Sequence, residues 1–176
     1  CLENVRGKII GATVSDEARG VLQLSMIGKE TLTIAKLLGL VGDKSGAKLY
    51  FRERNAKEEE KFRNAGKVDP IEEASVVVID ECSMIDKKTW HMIVRLRPDH
   101  TKILFLGDRT QIPPIGELIS QVFVNLDNNA GRAFKLTEPM RYAEGQPIFQ
   151  VTETLFAKNV SNHYNTGELI SYNPLT

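Results

Sequence analysis

The sequence predicts an α/β fold: a parallel sheet flanked by helices, incomplete, with a small hairpin-type insertion. Three observations predict it. The apolar run Val76-Val77-Val78-Ile79 ends abruptly in Asp80-Glu81, and Ile103-Leu104-Phe105-Leu106 ends in Gly107-Asp108-Arg109-Thr110-Gln111. Such runs are buried parallel strands whose polar residues emerge at the carboxyl end, the edge where open α/β sheets bind ligands. Strand-like and helix-like segments also alternate along the chain, which argues parallel pairing with right-handed crossovers.

Taken in order, Gly7 to Val14 reads as a first strand. Ser15 or Asp16 caps the helix that follows, with Ala18, Val21, Leu22 and Leu24 on its inner face, and Gly28 ends it. Thr31 to Leu38 reads as a short helix stopped by Gly39. From Gly42 to Val68 the composition turns basic, with Lys44, Lys48, Arg52, Arg54, Lys57, Lys61, Arg63 and Lys67 among several acids around Leu49-Tyr50-Phe51. That stretch reads as a hairpin or helical insertion outside the core. Pro70 and Ile71-Glu72-Glu73-Ala74 lead into the strand that ends at Asp80. Asp86 to Leu96 follows as a helix with Trp90, Ile93 and Val94 inward, closed by Pro98. Lys102 to Leu106 is a strand, Gly107 to Gly116 a loop, and Glu117 to Val124 a helix. Phe134-Lys135-Leu136 reads as a short strand and Pro147 to Phe156 as a last helix. The chain beyond Lys158 is polar and rich in Asn.

Composition narrows the function classes. A chain of 176 residues suits one domain with a small appendage. Its formal net charge of zero means that any contact with nucleic acid must come from local patches, not a global basic field. Cys1 and Cys82 form no metal spacing and suit a reduced, cytosolic chain. No apolar run approaches a membrane span, and no signal-peptide pattern opens the chain. The start at Cys1, with a strand almost immediately after it, reads as the start of a fragment of something longer.

The candidate chemistry sits at strand ends. Asp80 is placed to hold Mg²⁺ through water and Glu81 to orient or deprotonate an attacking water; the pair also reads as two solvated carboxylates. Gln111 offers both an amide donor and an acceptor to a γ-phosphate, on a loop stiffened by Pro113 and Pro114; the same residues fit an ordinary proline turn. Arg141 suits charge growing on a transferring phosphate or a surface salt bridge. Thr13 and the Ser15-Asp16 turn suit phosphate binding or a plain helix cap. Tyr50 and Phe51 suit stacking on a base or packing in a core. His91, His100 and His163 show no ligand spacing.

The order of these pieces is more specific than any one of them. Ala12-Thr13 precedes a helix, then come Thr33-Ile34-Ala35-Lys36-Leu37-Leu38-Gly39, Ile79-Asp80-Glu81-Cys82-Ser83-Met84, Gly107-Asp108-Arg109-Thr110-Gln111-Ile112-Pro113-Pro114 and Leu136-Thr137-Glu138-Pro139-Met140-Arg141. From Gly7 to Phe156 this series resembles the first motor domain of RecD-like and Dda-like superfamily-one DNA helicases. The resemblance implies a partial RecA-like (P-loop NTPase) sheet over 1–41 and 69–158, a strand-separating hairpin-like insertion over 42–68, and a polar segment over 159–176. It implies that Asp80 and Glu81 are the Walker B pair and that Gly107, Asp108, Gln111 and Arg141 surround the triphosphate. Thr13, Ser15, Thr33, Tyr50 and Phe51 would face DNA. ATP and Mg²⁺ are the implied cofactors, and single-stranded DNA or a single/double-strand junction the implied partner. Replication, repair or recombination proteins follow as companions, in a bacterial cytoplasm or that of a phage host. Ala35 stands where relatives often carry histidine, and Tyr142 where glutamine is common. The Gly-rich phosphate loop (Walker A) and the second motor domain are not in the sequence, so the chain alone is expected to hydrolyse no ATP. A non-catalytic nucleic-acid- or protein-binding module on a degenerate motor fold is the alternative.

Overall fold

Along the chain, β1 (Lys8–Thr13) leads into α1 (Asp16–Ser25), β2 (Glu30–Thr33) and α2 (Ile34–Leu37). The hairpin β3 (Val41–Ser45) and β4 (Lys48–Arg52) follows, with α3 (Ala56–Asn64) and α4 (Pro70–Glu73). Then come β5 (Ala74–Ile79), α5 (Lys87–Leu96), β6 (Lys102–Phe105) and α6 (Gln121–Asp127). The computed structural model describes residues 6–45, 48–128, 133, 134 and 136. The chain divides into two units, Cys1–Arg132 and Ala133–Thr176, and the elements above belong to the first. Arg141, the expected helix over 147–156 and the polar segment over 159–176 lie outside the described residues. Phe134 and Leu136 are described, and neither belongs to a strand.

The main sheet runs β2-β1-β5-β6, every neighbouring pair parallel. Register sets Ile10 beside Val77, Ala12 beside Ile79, and Ile79 beside Phe105. Side chains alternate across a strand, so Ile10, Ala12, Val77 and Ile79 share one face. They pack there with Leu37 and Leu38, Ile71, Ile85, Met92 and Ile93, and Val122 and Phe123, from α2, α4, α5, α6 and their flanks. Each fully buried Ile, Leu or Val contributes about 1.5–3 kcal/mol, so this layer anchors the strands that carry the site. The opposite face takes α1. A Cβ on Gly11 would lie 2.6 Å from Met26 Sδ and 3.0 Å from Leu22 Cδ2, so only glycine lets this helix close on β1.

That contact corrects the expected inner face of α1. Leu22 is buried, whereas Val21 and Leu24 are 67% and 78% exposed. The packed line is Ala18, Leu22 and Met26, four residues apart each time. Thr31 to Thr33 is also not helical. It is the edge strand β2, with Thr13 paired to Thr33, and the helix starts only at Ile34. β-branched threonines favour the strand, and Thr33 then caps α2 by accepting from the Lys36 amide at 3.3 Å. In α5, Met92 and Ile93 are buried and Trp90 tilts against Phe105, but Val94 faces out. The helix expected from Glu117 begins at Gln121, behind the Ser120 cap.

The insertion is a hairpin plus a helix. Asn55 and Glu58 form a reciprocal capping box at the start of α3. Arg52 bonds Glu58 through both amino groups, at 2.8 and 3.0 Å, and Asp43 at 2.9 Å. Arg54 lies over the Phe62 ring and bonds Asp69, Arg63 bonds Glu72 at 2.9 Å, and Arg95 bonds Glu53. Arg54 and Arg63 thus pin the insertion to α4, just before β5, and Glu53 ties it to α5 through Arg95.

Candidate functional site

Parallel strands end on the same side, so Thr33, Thr13, Asp80 and Gly107 come to one carboxyl edge. The ladder runs one step past the strands. The Asp80 amide donates to Ala12 O at 2.9 Å and the Leu106 amide to Ile79 O at 2.8 Å. Asp80 is therefore held at the edge by backbone, and one of its carboxylate oxygens also accepts the Glu81 amide at 2.9 Å. Both carboxylates are half-buried.

Glu81 adopts φ 55, ψ 40, and it is the one non-glycine residue with positive φ among the described residues. Left-handed backbone costs an ordinary residue roughly 1–2 kcal/mol, and here it turns the chain sharply into a 3₁₀ turn, Cys82–Met84. The Cys82 amide then donates to Leu106 O at 2.9 Å. Gly107 matters for that approach rather than for its own dihedrals. A Cβ there would meet Cys82 Sγ at 2.6 Å and the amide nitrogens of Cys82 and Ser83 at 3.1 and 3.2 Å. Burial, reinforced by Asp80 and Glu81 nearby, pushes the Cys82 thiol up to about 11, so it stays a protonated packing group.

The loop after β6 is fastened to this turn. Gln111 is exposed, its amide donates to Asp108 O at 3.1 Å, and its side-chain Oε1 accepts the buried Ser83 hydroxyl at 3.3 Å. Asp108 Oδ1 accepts both the Thr110 amide at 2.8 Å and its hydroxyl at 2.7 Å, closing a local turn. Arg109 bonds Asp127 and lies 5.5 Å over the Phe123 ring, tying the loop to α6. Further on, Glu117 accepts the Lys87 amide at 2.8 Å. The Ser120 hydroxyl reaches Cys82 O at 3.0 Å and Ile85 O at 2.7 Å.

The structure therefore brings Asp80, Glu81, Gly107, Asp108 and Gln111 to one edge. The other expected site residues stand differently. Thr13 is at the edge but has no exposed surface, and its hydroxyl donates to Ser15 O at 2.9 Å. Ser15 caps α1 through the Ala18 amide, and Thr33 caps α2. All three brace backbone. Tyr50 and Phe51 are half-exposed on β4, across from Asp43 and Gly42, and as neighbours in a strand they face opposite sides of the hairpin. Arg141 lies outside the described residues. Ser83 and Ser120 were not assigned roles from sequence. Ser83 stands inside the motif after the acidic pair, but a serine four residues past the end of β5 carries no sign of the loop it will meet.

The donor set can be weighed for a metal. Among the described residues no three His, Cys, Asp or Glu side chains cluster tightly enough to cage an ion. Mg²⁺ does not require a cage: it commonly takes one or two carboxylates, substrate phosphates and water. Asp80 with Glu81 fits that pattern. No helix among the described residues is long and apolar enough to cross a membrane.

A curated relative, the uncharacterized protein R530 of Acanthamoeba polyphaga mimivirus, is 34% identical over 116 residues, or 62% of this chain. The chain spans 21% of that relative's length. Two solved structures are also similar to it. One is of two coordinating Pif1 helicases at forked dsDNA, at 20% identity and a TM-score of 0.42, covering 72% of this chain and 29% of that one. The other is Bacteroides Pif1 bound to ssDNA, at 19% identity and 0.41, covering 72% and 28%. A family model described as AAA domain matches residues 2–169. With its parallel sheet, its acidic strand exit and its Gly-Asp-Arg-Thr-Gln loop in place, the chain belongs to the AAA domain family.

Proposed function

We propose that this chain is the magnesium-and-water half of the ATP site of a DNA helicase that moves on single strands, 5′ to 3′. The observation that supports this most is the fastening of two strand exits to each other: Asp80-Glu81 after β5 and the Gln111 loop after β6, joined by the Ser83–Gln111 hydrogen bond at 3.3 Å. In this reading Asp80 holds Mg²⁺ through water, and Glu81 takes a proton from the attacking water. Gln111 touches the γ-phosphate and relays its presence through the stiff Pro113-Pro114 loop. Arg141 adds a guanidinium to the transferring phosphate. Mg²⁺, when bound, would be held by Asp80 with Glu81 beside it and would supply neutralisation of phosphate charge. The hairpin bearing Tyr50 and Phe51 is the strand-separating element, and replication, repair and recombination are the settings in which a cytoplasmic motor of this kind would work.

The sheet leaves a lane for the phosphate loop. Among the described residues no strand pairs with the outer side of β6. A parallel strand in that lane would end about 4.8 Å from Gly107, close enough for its loop to meet the same triphosphate. Without such a loop the backbone amides and lysine that grip phosphate are missing, so the 176-residue chain by itself hydrolyses no ATP.

The test uses the full-length protein. Glu81→Gln should lower DNA-stimulated ATP turnover by about 10²- to 10⁴-fold while nucleotide binding persists. Gln111→Ala should separate hydrolysis from strand opening. Unchanged unwinding by Gln111→Ala, or metal-dependent turnover by the chain alone that Glu81→Gln abolishes, would defeat the reading.

A further inference from the structure

We infer that Ser83 is a positioning residue that anchors the Gln111 side chain in the pose that meets the nucleotide. The inference rests on the γ-phosphate role proposed for Gln111 and adds the device that orients it. A glutamine amide has an accepting oxygen on one side and two donor hydrogens on the other. An anionic phosphate oxygen needs the donor side, and the carbonyl side would repel it. Nothing in glutamine itself prefers one orientation, because the two ends have nearly the same shape.

Ser83 supplies a fixed anchor for one pose. Its hydroxyl donates to Gln111 Oε1 at 3.3 Å, which turns the carbonyl toward the β5 exit and leaves the Nε2 hydrogens for the open side. The hydroxyl is itself well fixed. Ser83 is 2% exposed and sits inside the Cys82–Met84 turn, which is closed by Met84 N to Glu81 O and Ile85 N to Cys82 O, each at 3.2 Å. The Ser120 hydroxyl holds the carbonyls of Cys82 and Ile85 from below. Gln111, by contrast, is exposed and lies on a loop. A buried donor against an exposed amide is the arrangement that orients the amide and not the serine. Because the same turn begins at Glu81, the orientation of the γ-phosphate sensor is also tied to the residue that handles water.

The experiment compares Ser83→Ala, Ser83→Thr, Gln111→Ala and the Ser83→Ala/Gln111→Ala double variant in the full-length protein. Binding of ADP and of a non-hydrolysable triphosphate is measured, together with DNA-stimulated turnover. Ser83→Ala should weaken the triphosphate and slow turnover by about threefold to tenfold, the worth of one neutral hydrogen bond. ADP affinity should not change, since ADP has no γ-phosphate. Ser83→Thr keeps the hydroxyl and should retain most of both. Adding Ser83→Ala to Gln111→Ala should do nothing further. Equal weakening of ADP and triphosphate would mean a merely structural serine and overturns the inference. An effect of Gln111→Ala with none from Ser83→Ala overturns it while sparing the γ-phosphate reading. No effect of Gln111→Ala on triphosphate binding takes down both.

Discussion

Replacing Gly107 with alanine probes the tightest contact in the site. The added Cβ would lie 2.6 Å from Cys82 Sγ, about 1 Å inside the optimum for carbon-sized atoms. Cys82 is 1% exposed, so its sulfur has no outward rotamer to take. The two amide nitrogens at 3.1 and 3.2 Å cannot retreat without stretching the Cys82 N to Leu106 O bond, which is 2.9 Å long. Overpacking of this kind costs about 1–3 kcal/mol, or roughly 3–10 °C of melting temperature for a domain this size. Gly20→Ala is the matched control. It lies in α1 with nothing within 4 Å of a new Cβ, so it should stabilise by about 0.5–1 kcal/mol. Thermal unfolding of the chain reads both. Cys82→Ala removes the sulfur, and in the double variant the penalty of Gly107→Ala should shrink by about 1 kcal/mol, a coupling typical of residues in contact. A Gly107→Ala protein that melts with the wild type, or a penalty of the same size with and without the Cys82 sulfur, refutes the packing argument.

Three further outcomes follow from the geometry. Glu81→Gly removes the left-handed penalty and should raise stability by about 1 kcal/mol in urea unfolding while abolishing turnover in the full-length protein; a loss of stability would mean that the Glu81 side chain holds the turn. Arg54→Ala leaves Asp69, whose side chain is 12% exposed, without its partner and takes the guanidinium off Phe62. A loss of about 3–5 kcal/mol is expected, and one below 1 kcal/mol would rule out a buried pair. Glu58 is held down to about 2 from the ordinary 4.5 by the Arg52 guanidinium, with the Asn55 amide assisting. A depressed carboxylate stabilises the fold above its unfolded value and loses that contribution as pH falls through the folded one. The insertion should therefore loosen between pH 4.5 and about 2, and a Glu58 carboxyl carbon that titrates near 4.5 by NMR would contradict the pairing.

What the sequence revealed and what it hid have different physical origins. The exit at Asp80 was legible because β5 ends buried on both faces at Val77, Val78 and Ile79, so the first polar residue marks the edge. β6, expected to be buried too, leaves Leu104, and Leu106 just past it, half-exposed on one face among the described residues, and its exit was legible from the apolar run alone. The packed face of α1 was not legible. Val21, Leu22 and Leu24 are equally apolar, and the choice of Leu22 was made by a hole at Gly11 on another element. Thr31 to Thr33 spans too few residues for periodicity to separate helix from strand, and pairing with β1 decided it. The start of α6 moved to Ser120 because that hydroxyl is drawn to the Cys82 and Ile85 carbonyls, a tertiary demand invisible in the run Glu117 to Val124. The mixed charges of the insertion marked it as lying outside the core but not how it is fastened: Arg52, Arg54 and Arg63 pair with Glu58, Asp69 and Glu72.

The left-handed residue explains how two adjacent carboxylates can serve one site. A strand that simply continued past Ile79 would send Asp80 and Glu81 to opposite faces of the sheet, and only one of them would reach a ligand at the edge. A residue at φ 55 ends the alternation in a single step. Its cost is met by contacts that would not form otherwise: Cys82 N on Leu106 O, and the Ser120 hydroxyl on Cys82 O. Those same contacts require Gly107 to have no side chain and leave Ser83 facing Gln111. The strain at Glu81, the missing Cβ at Gly107 and the serine–glutamine bond are therefore one solution rather than three features. Substitutions at these positions should couple strongly to one another, whereas Gly20, far from the turn, should add independently to each of them.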